Sequence, residues 1–229
     1  MKKILYLGID PTHFKTDGLV VHYPIIKIAP RSHNDPALSA IFGKIKEYTH
    51  IVFTSKTSVR FFFSNLDRQG VARSSLDRIH WIVIGTVTAL HLRDEGFEAC
   101  IIAQNSTQEG LIQEIMSLDL SRAYLLFPRS SLSRPLLVDF FDEKQLRYDA
   151  FDLYDTVTNF TGSPPPLHDI DEIVFTSPSC VDAFFAIYGA LPDQKYCISI
   201  GPITHAALEK KRAEILSSKY HGSANLLPR

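Results

Sequence analysis

Five short stretches of this chain carry residue types that hold anions. They are Thr54-Ser55-Lys56-Thr57-Ser58, Gly85-Thr86-Val87-Thr88, Pro128-Arg129-Ser130-Ser131, Thr176-Ser177-Pro178-Ser179 and Gly201-Pro202-Ile203-Thr204. Each follows a short apolar run and precedes a stretch with helical spacing, so each reads as the turn between a buried strand and a helix. Such turns expose main-chain N–H groups and the positive end of a helix, which suits carboxylates and phosphates. Ser and Thr are also ordinary helix caps, and capping alone accounts for any single turn. All of them together favour an anion-binding cleft at the carboxyl ends of parallel strands. The nearest cations are Lys56, Arg60, Arg129 and Arg134. Arg129 follows a strand directly and is expected to point toward the cleft. Arg134 lies a turn further on and reads as a residue on a solvated face.

The elements that must position these turns occur as a repeat. His50 to Phe63 reads HIVFTSKTSVRFFF, and Glu172 to Phe185 reads EIVFTSPSCVDAFF. Each copy is followed by a second matching unit, Ile82-Val83-Ile84-Gly85-Thr86 and Ile198-Ser199-Ile200-Gly201-Pro202. Two similar α/β halves follow from a repeat of this length. The rest of the chain fits. Lys3 to Gly8 reads as a first strand and Asp10 to Phe14 as a turn. Leu19 to Ile28 is extended but interrupted by Pro24, which favours an edge or a connector. Asp35 and Pro36 open a helix running to Tyr48. Strands are expected at Ile51–Phe53, Trp81–Ile84, Glu98–Ala103 and Ala123–Phe127. The helices between them are capped by Ser55 or Thr57, opened by Thr86 and closed at Gly96, and capped by Ser106 or Thr107. This last helix carries Leu111, Ile112, Ile115 and Met116. A helix runs from about Leu132 to Gln145, Arg147 to Val157 is extended, and Glu214 to Ser217 reads as one more strand. The tail from His221 to Arg229 is too short for a full helix.

Strand–turn–helix order means parallel sheets covered on both faces. The middle of the chain has enough units for a complete domain, whereas the C-terminal part needs the N-terminal strand to complete it. The expected architecture is therefore α/β, with one parallel-sheet domain inserted in another. Residues 1–22 plus 158–229 form the first domain and residues 34–148 the second. Residues 23–33 and 149–157 form a two-stranded β connector.

Composition narrows the function. With 229 residues and a net charge of −1, the chain lacks the basic balance of a general nucleic-acid binder. The apolar run after Met1-Lys2-Lys3 ends at Gly8, too short for a secretion signal or a membrane span, so a cytoplasmic protein without membrane contact is expected. Cys100, Cys180 and Cys197 have no metal-like spacing and read as reduced core thiols. No dinucleotide, P-loop or nucleophile-elbow motif occurs, no histidine pair has metal spacing, and no metal site is expected. An enzyme built this way works by holding a polyanionic substrate in one shape.

Taken in order, Ile51-Val52-Phe53-Thr54-Ser55 with Val59 and Phe62, Ile84-Gly85 through Ala89 with Gly96, Leu125-Leu126-Phe127-Pro128-Arg129 with Arg134 and Leu137, Leu153-Tyr154-Asp155-Thr156, Phe175-Thr176-Ser177-Pro178-Ser179, and Ile200-Gly201-Pro202 with Thr204 and Ala206 resemble the uroporphyrinogen-III synthase family. The resemblance covers nearly the whole chain. It implies two α/β domains joined by a β connector, with the active site in the cleft between them. The implied reaction is cyclisation of hydroxymethylbilane to uroporphyrinogen III, with loss of water and inversion of the last pyrrole ring (ring D), in tetrapyrrole and heme biosynthesis. It implies no cofactor, a linear tetrapyrrole substrate, a monomer, and a transient contact with the preceding enzyme of the pathway.

The family's connector tyrosine, which assists departure of the hydroxyl, matches Tyr154. Its threonine in the later glycine turn matches Thr204, with Thr88 as the earlier counterpart, both as substrate contacts. The remaining implied contacts are Thr54, Ser55, Lys56, Thr57, Gly85, Thr86, Arg129, Ser130, Thr176, Ser177, Ser179 and Gly201. The chain departs from the family where Gly8-Ile9-Asp10-Pro11 replaces an arginine and a full helix, and where the C-terminal helix looks truncated. A non-catalytic two-domain cytosolic protein binding a small polyanionic ligand is the alternative reading. A degenerate homologue acting as a partner protein is a third.

Overall fold

The computed structural model describes residues 1–32, 34–190 and 196–222. In chain order the elements are β1 (Lys3–Tyr6), β2 (Leu19–His22), β3 (Ile26–Pro30), α1 (Pro36–Gly43), β4 (His50–Phe53), α2 (Lys56–Arg68), β5 (His80–Val83), α3 (Thr86–Asp94), β6 (Ala99–Ile102), α4 (Gln108–Ile115), β7 (Tyr124–Ser130), α5 (Leu136–Glu143), β8 (Arg147–Thr158), β9 (Glu172–Phe175), α6 (Pro178–Tyr188), β10 (Cys197–Ser199) and α7 (Pro202–Gly222). They divide into two compact units, residues Met1–Ile28 with Thr156–Arg229 and residues Ala29–Asp155. The chain passes from one unit to the other within β3 and again within β8, and these two strands are neighbours in one sheet.

The inserted unit is built on strands in the order β3-β8-β7-β4-β5-β6. Its β4, β5, β6, β7 and β8 pair in parallel. Ile51, Val52 and Phe53 are all fully buried, as expected of a central strand covered on both faces. Because side chains alternate across a strand, Val52 and Ile82 join Leu111, Leu137 and Phe141 on one face. Phe53 and Trp81 stack on each other on the opposite face and pack against Phe62 and Phe63 of α2.

The first unit is smaller, with the order β10-β9-β1-β2. Leu5, Ile173 and Phe175 pack with Val181 and Phe184 of α6 and Leu208 of α7. On the opposite face Ile4, Tyr6 and Val174 meet Phe14, from the connection between β1 and β2, and Val20. No helix forms in that connection, as the sequence predicts.

Capping residues set many of the helix starts. Asp35 accepts from Ala37 N, with Pro36 at the first helical position. Ser55 and Ser177 accept from the amides of Ser58 and Cys180. Pro24 separates β2 from β3, as its fixed φ and missing N–H require.

The structure corrects several expectations. The helix opened by Asp35 ends at Gly43, and a short 3-10 turn, Ile45–Glu47, carries the chain on toward Tyr48. Pro128-Arg129-Ser130 is not a turn: β7 runs through to Ser130, pairing with β8 as far as Tyr154. Its pairing with β4 stops at Leu126, so beyond that point one side of β7 carries no ladder and tolerates an imino nitrogen. The following helix begins at Leu136, not Leu132, because Pro135 disfavours helical backbone at Arg134. Glu214–Ser217 is helical, within the 21-residue α7; the Lys211–Glu214 and Arg212–Glu209 ion pairs support this at helical spacing. Helix α7 also removes the truncation expected before the tail, whose residues 223–229 lie outside the described ones. Finally, Cys180 is a core thiol, but Cys197 is half-buried and Cys100 exposed.

Candidate functional site

In an open parallel sheet the ligand crevice lies where consecutive connections turn in opposite directions, beyond the carboxyl ends of the strands. In the inserted unit that point falls between β4 and β7. Four of its expected stretches reach this carboxyl edge: the Ser55 turn after β4, the Gly85 turn after β5, Arg129-Ser130 at the end of β7, and Tyr154 in β8 beside it.

The end of β8 is shaped by a bulge. Arg129 pairs with Asp152 but Ser130 pairs with Tyr154, so Leu153 is the extra residue. Alternation breaks there, and Leu153 and Tyr154 are both buried in succession. The bulge is held by Ser131 N donating to Tyr154 O at 3.1 Å and by Arg31 N donating to Leu153 O at 2.9 Å. It sets the Tyr154 hydroxyl 3.0 Å from Ser55 Oγ, at the N-cap of α2. Ser55 Oγ also lies 2.5 Å from Ser58 Oγ and accepts from Ser58 N at 3.0 Å. The Tyr154 ring packs on Phe61 at 5.5 Å.

Of the residues predicted from sequence, the fold therefore joins Ser55 directly to Tyr154. Thr54 and Thr57 flank them half-buried, and Lys56 is exposed at the first helical position. Arg60 is exposed on the next turn, its guanidinium 4.8 Å over Phe61.

Gly85 follows β5 with an extended backbone, at the N-cap of α3. Space is tight there: a Cβ would meet Ser106 Oγ at 2.2 Å and Ser106 Cβ at 3.0 Å. Thr86 is exposed at the start of α3, whereas Thr88 is only 4 % exposed. Arg129 is engaged, its Nε donating to Asp152 at 3.1 Å. Arg31 completes a short charge network, 3.8 Å from Asp152 and 2.8 Å from Asp155. Hydrogen bonding by Ser131 and Arg31 holds the Asp155 carboxyl below its ordinary range. Arg134 is committed elsewhere, gripping both oxygens of Glu109 at 2.7 Å and holding that carboxyl down to about 2.

The first unit has its own crevice point, between β1 and β9. Thr176 and Ser177 follow β9, and Gly8 follows β1. A Cβ at Gly8 would meet Thr176 Cγ2 at 2.8 Å and Tyr6 Cε1 at 2.7 Å, so this edge is closely packed. Ser177 Oγ lies 2.8 Å from Ser179 Oγ and accepts from Cys180 N. Thr204 is buried on α7, while Gly201 has open space around it.

Sequence reasoning missed Arg31 and Asp152, and it placed Ser58 in the first turn without its bond to Ser55. Ser58 falls at the place of Cys180 in the repeat, a signal that was available. The pairing of Arg31 with Asp152 and Asp155 joins residues more than 120 positions apart and left no local trace. Among the described residues no group of three or more His, Cys, Asp or Glu side chains is placed to hold a metal ion. Nor is any described helix long and apolar enough to cross a membrane.

This fold, with two parallel α/β units and paired crossing strands, matches solved structures. A uroporphyrinogen III synthase of Thermus thermophilus aligns with a TM-score of 0.65 at 14 % identity, over 92 % of this chain and 89 % of its own. The uroporphyrinogen-III synthetase of Helicobacter pylori 26695 aligns at 0.59 and 18 % identity, over 93 % and 90 %. The model of the family described as uroporphyrinogen-III synthase HemD matches residues 15–224, and the chain belongs to that family. A porphyrin biosynthesis protein HemD of Ruminiclostridium josui is 24 % identical over 216 residues. The match takes in 92 % of this chain, which spans about two fifths (41 %) of that relative's length.

Proposed function

We propose that this chain is a uroporphyrinogen-III synthase, closing hydroxymethylbilane with loss of water and inversion of ring D. Membership of the family and the agreement of fold support this reading. The observation that carries it is the Tyr154 hydroxyl, held by Ser55 at the carboxyl edge of the sheet beside the crevice point. A phenol is protonated at neutral pH and can give its proton to the departing hydroxyl oxygen as the carbon–oxygen bond breaks. Water leaves and a new carbon–carbon bond closes the ring; inverting ring D breaks one of its bridge bonds and re-forms it at the opposite end of that ring, and the proton shed by the pyrrole on closure restores the phenol.

The acetate and propionate groups of the substrate are held by N–H groups and hydroxyls of the turns at Thr54–Thr57, Gly85–Thr88, Thr176–Ser179 and Gly201–Thr204. Lys56 supplies charge, and Arg129 and Ser130 contribute from the end of β7. Thr88 and Thr204, being buried, act by shaping the starts of α3 and α7 beneath these contacts. The protein works as a cytoplasmic monomer receiving its substrate from the preceding enzyme.

Purified protein given freshly made hydroxymethylbilane should yield the type III isomer, separable by chromatography after oxidation. Unassisted closure gives type I, and type I alone would exclude the synthase reading in favour of a non-catalytic polyanion binder. Tyr154→Phe should lower the rate of type III formation by on the order of 100-fold, the scale of a lost general acid. Unchanged turnover would remove Tyr154 from the mechanism.

A further inference from the structure

Ser55 Oγ meets three groups: Ser58 N at 3.0 Å, Ser58 Oγ at 2.5 Å and Tyr154 OH at 3.0 Å. A hydroxyl offers one proton and two lone pairs. The amide of Ser58 can only donate, so it takes one lone pair of Ser55. One proton and one lone pair remain to be divided between Ser58 Oγ and Tyr154. Two arrangements exist. If Ser55 donates to Ser58, then Tyr154 must spend its own proton on Ser55. If Ser58 donates to Ser55, then Ser55 donates to the tyrosine oxygen, and the phenol proton is not spent on either serine.

Each arrangement leaves one O–H without a protein acceptor, Ser58 in the first and Tyr154 in the second, and relative burial chooses between them. Ser58 on α2 is 0 % exposed, whereas Tyr154 keeps 6 % and stands at the carboxyl edge beside the crevice point. A buried O–H left without an acceptor costs more than a spare lone pair, because an oxygen with one bond made is still partly satisfied. Ser58 therefore donates to Ser55.

We propose that Ser58 is a positioning residue. Through Ser55 it fixes the direction of the hydroxyl chain, so that Tyr154 accepts from the protein and presents its proton to the leaving oxygen of the substrate. The proposal rests on the synthase reading above, with Tyr154 as the acid.

A double-mutant cycle on the rate of type III formation tests it. Ser58→Ala removes the terminal donor and lets Tyr154 turn its proton back onto Ser55. The expected result is a fall in kcat of roughly three- to tenfold, the size of one redirected hydrogen bond, with KM for hydroxymethylbilane unchanged. Ser58→Cys keeps a weak donor of similar size and should fall between the two. In the Tyr154→Phe background, Ser58→Ala should change nothing further. An equal fall in both backgrounds would overturn the proposal by making Ser58 a structural residue only, as would a fall confined to KM or no fall in either. If Tyr154→Phe alone leaves turnover unchanged, the tyrosine's role fails, and that result is read separately from the Ser58 arm.

Discussion

The two copies of the Ile-Val-Phe-Thr-Ser repeat fold alike and end differently. In both, the strand is buried, the serine caps the helix, and the valine and the phenylalanine three residues after it are fully packed, Val59 and Phe62 in one and Val181 and Phe184 in the other. The cap hydroxyls then part ways. Ser177 is answered within its own turn: it lies 2.8 Å from Ser179 and donates to Cys180 Sγ at 3.3 Å, and that thiol reaches back to Leu7 O at 3.6 Å. Ser55 is answered from a distant strand, by Tyr154. The same local sequence thus builds a self-contained turn in one unit and one tied to a tyrosine of a distant strand in the other. What separates them is the serine or cysteine three residues after the cap, and the arrival of a bulged β8 beside one copy. The repeat supplies the scaffold, and the asymmetry supplies the setting of Tyr154.

The amino ends of the two sheets differ as well. In the inserted unit, Asp149 Oδ2 accepts from Tyr48 and Tyr124 at 2.5 Å each and pairs with Lys44 at 2.8 Å. In the first unit, Asp171 Oδ2 accepts the exposed main-chain N–H of Lys3 at 2.7 Å. Burial pushes the Asp149 carboxyl up, but hydrogen bonds from Lys44, Tyr124 and Tyr48 outweigh it and hold the group below the ordinary range. A carboxyl depressed in the folded state contributes stability that is present above its unfolded pKa and lost as pH falls through the folded value. Asp149→Ala should therefore cost roughly 2–3 kcal/mol at neutral pH, because two phenols and an ammonium lose their acceptor. It should also flatten the loss of stability below about pH 4. Asp171→Ala should cost under about 1 kcal/mol, as an exposed contact does. Urea unfolding at several pH values measures both, and equal costs would erase this contrast between the sheets.

The glycine turns offer a second contrast. A methyl at Gly85 would press on Ser106, whereas Gly201 has nothing within 4 Å. Gly85→Ala should destabilise by roughly 1–3 kcal/mol through overpacking. Gly201→Ala should stay within about 0.5 kcal/mol, as a surface change with no steric conflict. Thermal unfolding of the two variants decides; a Gly201→Ala loss as large as that of Gly85→Ala would mean that the turns are equivalent after all.

Most of the frame is legible in the sequence because it rests on local rules. Asp35, Ser55, Thr107 and Ser177 each cap the helix that their position announces, and Pro24 breaks its strand where a missing N–H must. What the sequence hides depends on neighbours. Pro128 looks like a turn until the ladder to β4 is seen to stop at Leu126, before its missing N–H is called on. The bulge at Leu153 exists only in register with β7, and it is the bulge that delivers Tyr154 to Ser55. Family resemblance could point to Tyr154, but no pattern in the residues around it announces its hydroxyl partner. The cluster on Asp149 draws on Lys44, Tyr48 and Tyr124, and no single segment contains it.

The smallest effects test the repeat itself. Ser55→Ala and Ser177→Ala each remove one helix cap, and each should cost about 1 kcal/mol of stability. If the turns differ only in what lies beyond the cap, these losses should match while the kinetics diverge. Ser55→Ala also takes from Tyr154 its hydroxyl partner and should lower kcat for type III formation. On the proposed synthase reading, Ser177→Ala takes away a substrate contact of the other unit and should act mainly on KM, since an interaction made equally in ground and transition states changes binding and not turnover. Steady-state kinetics beside melting curves separate the two terms. A matching fall in kcat for both variants would mean that the turns do the same work, and the asymmetry at Ser58 and Cys180 would then carry no chemical meaning.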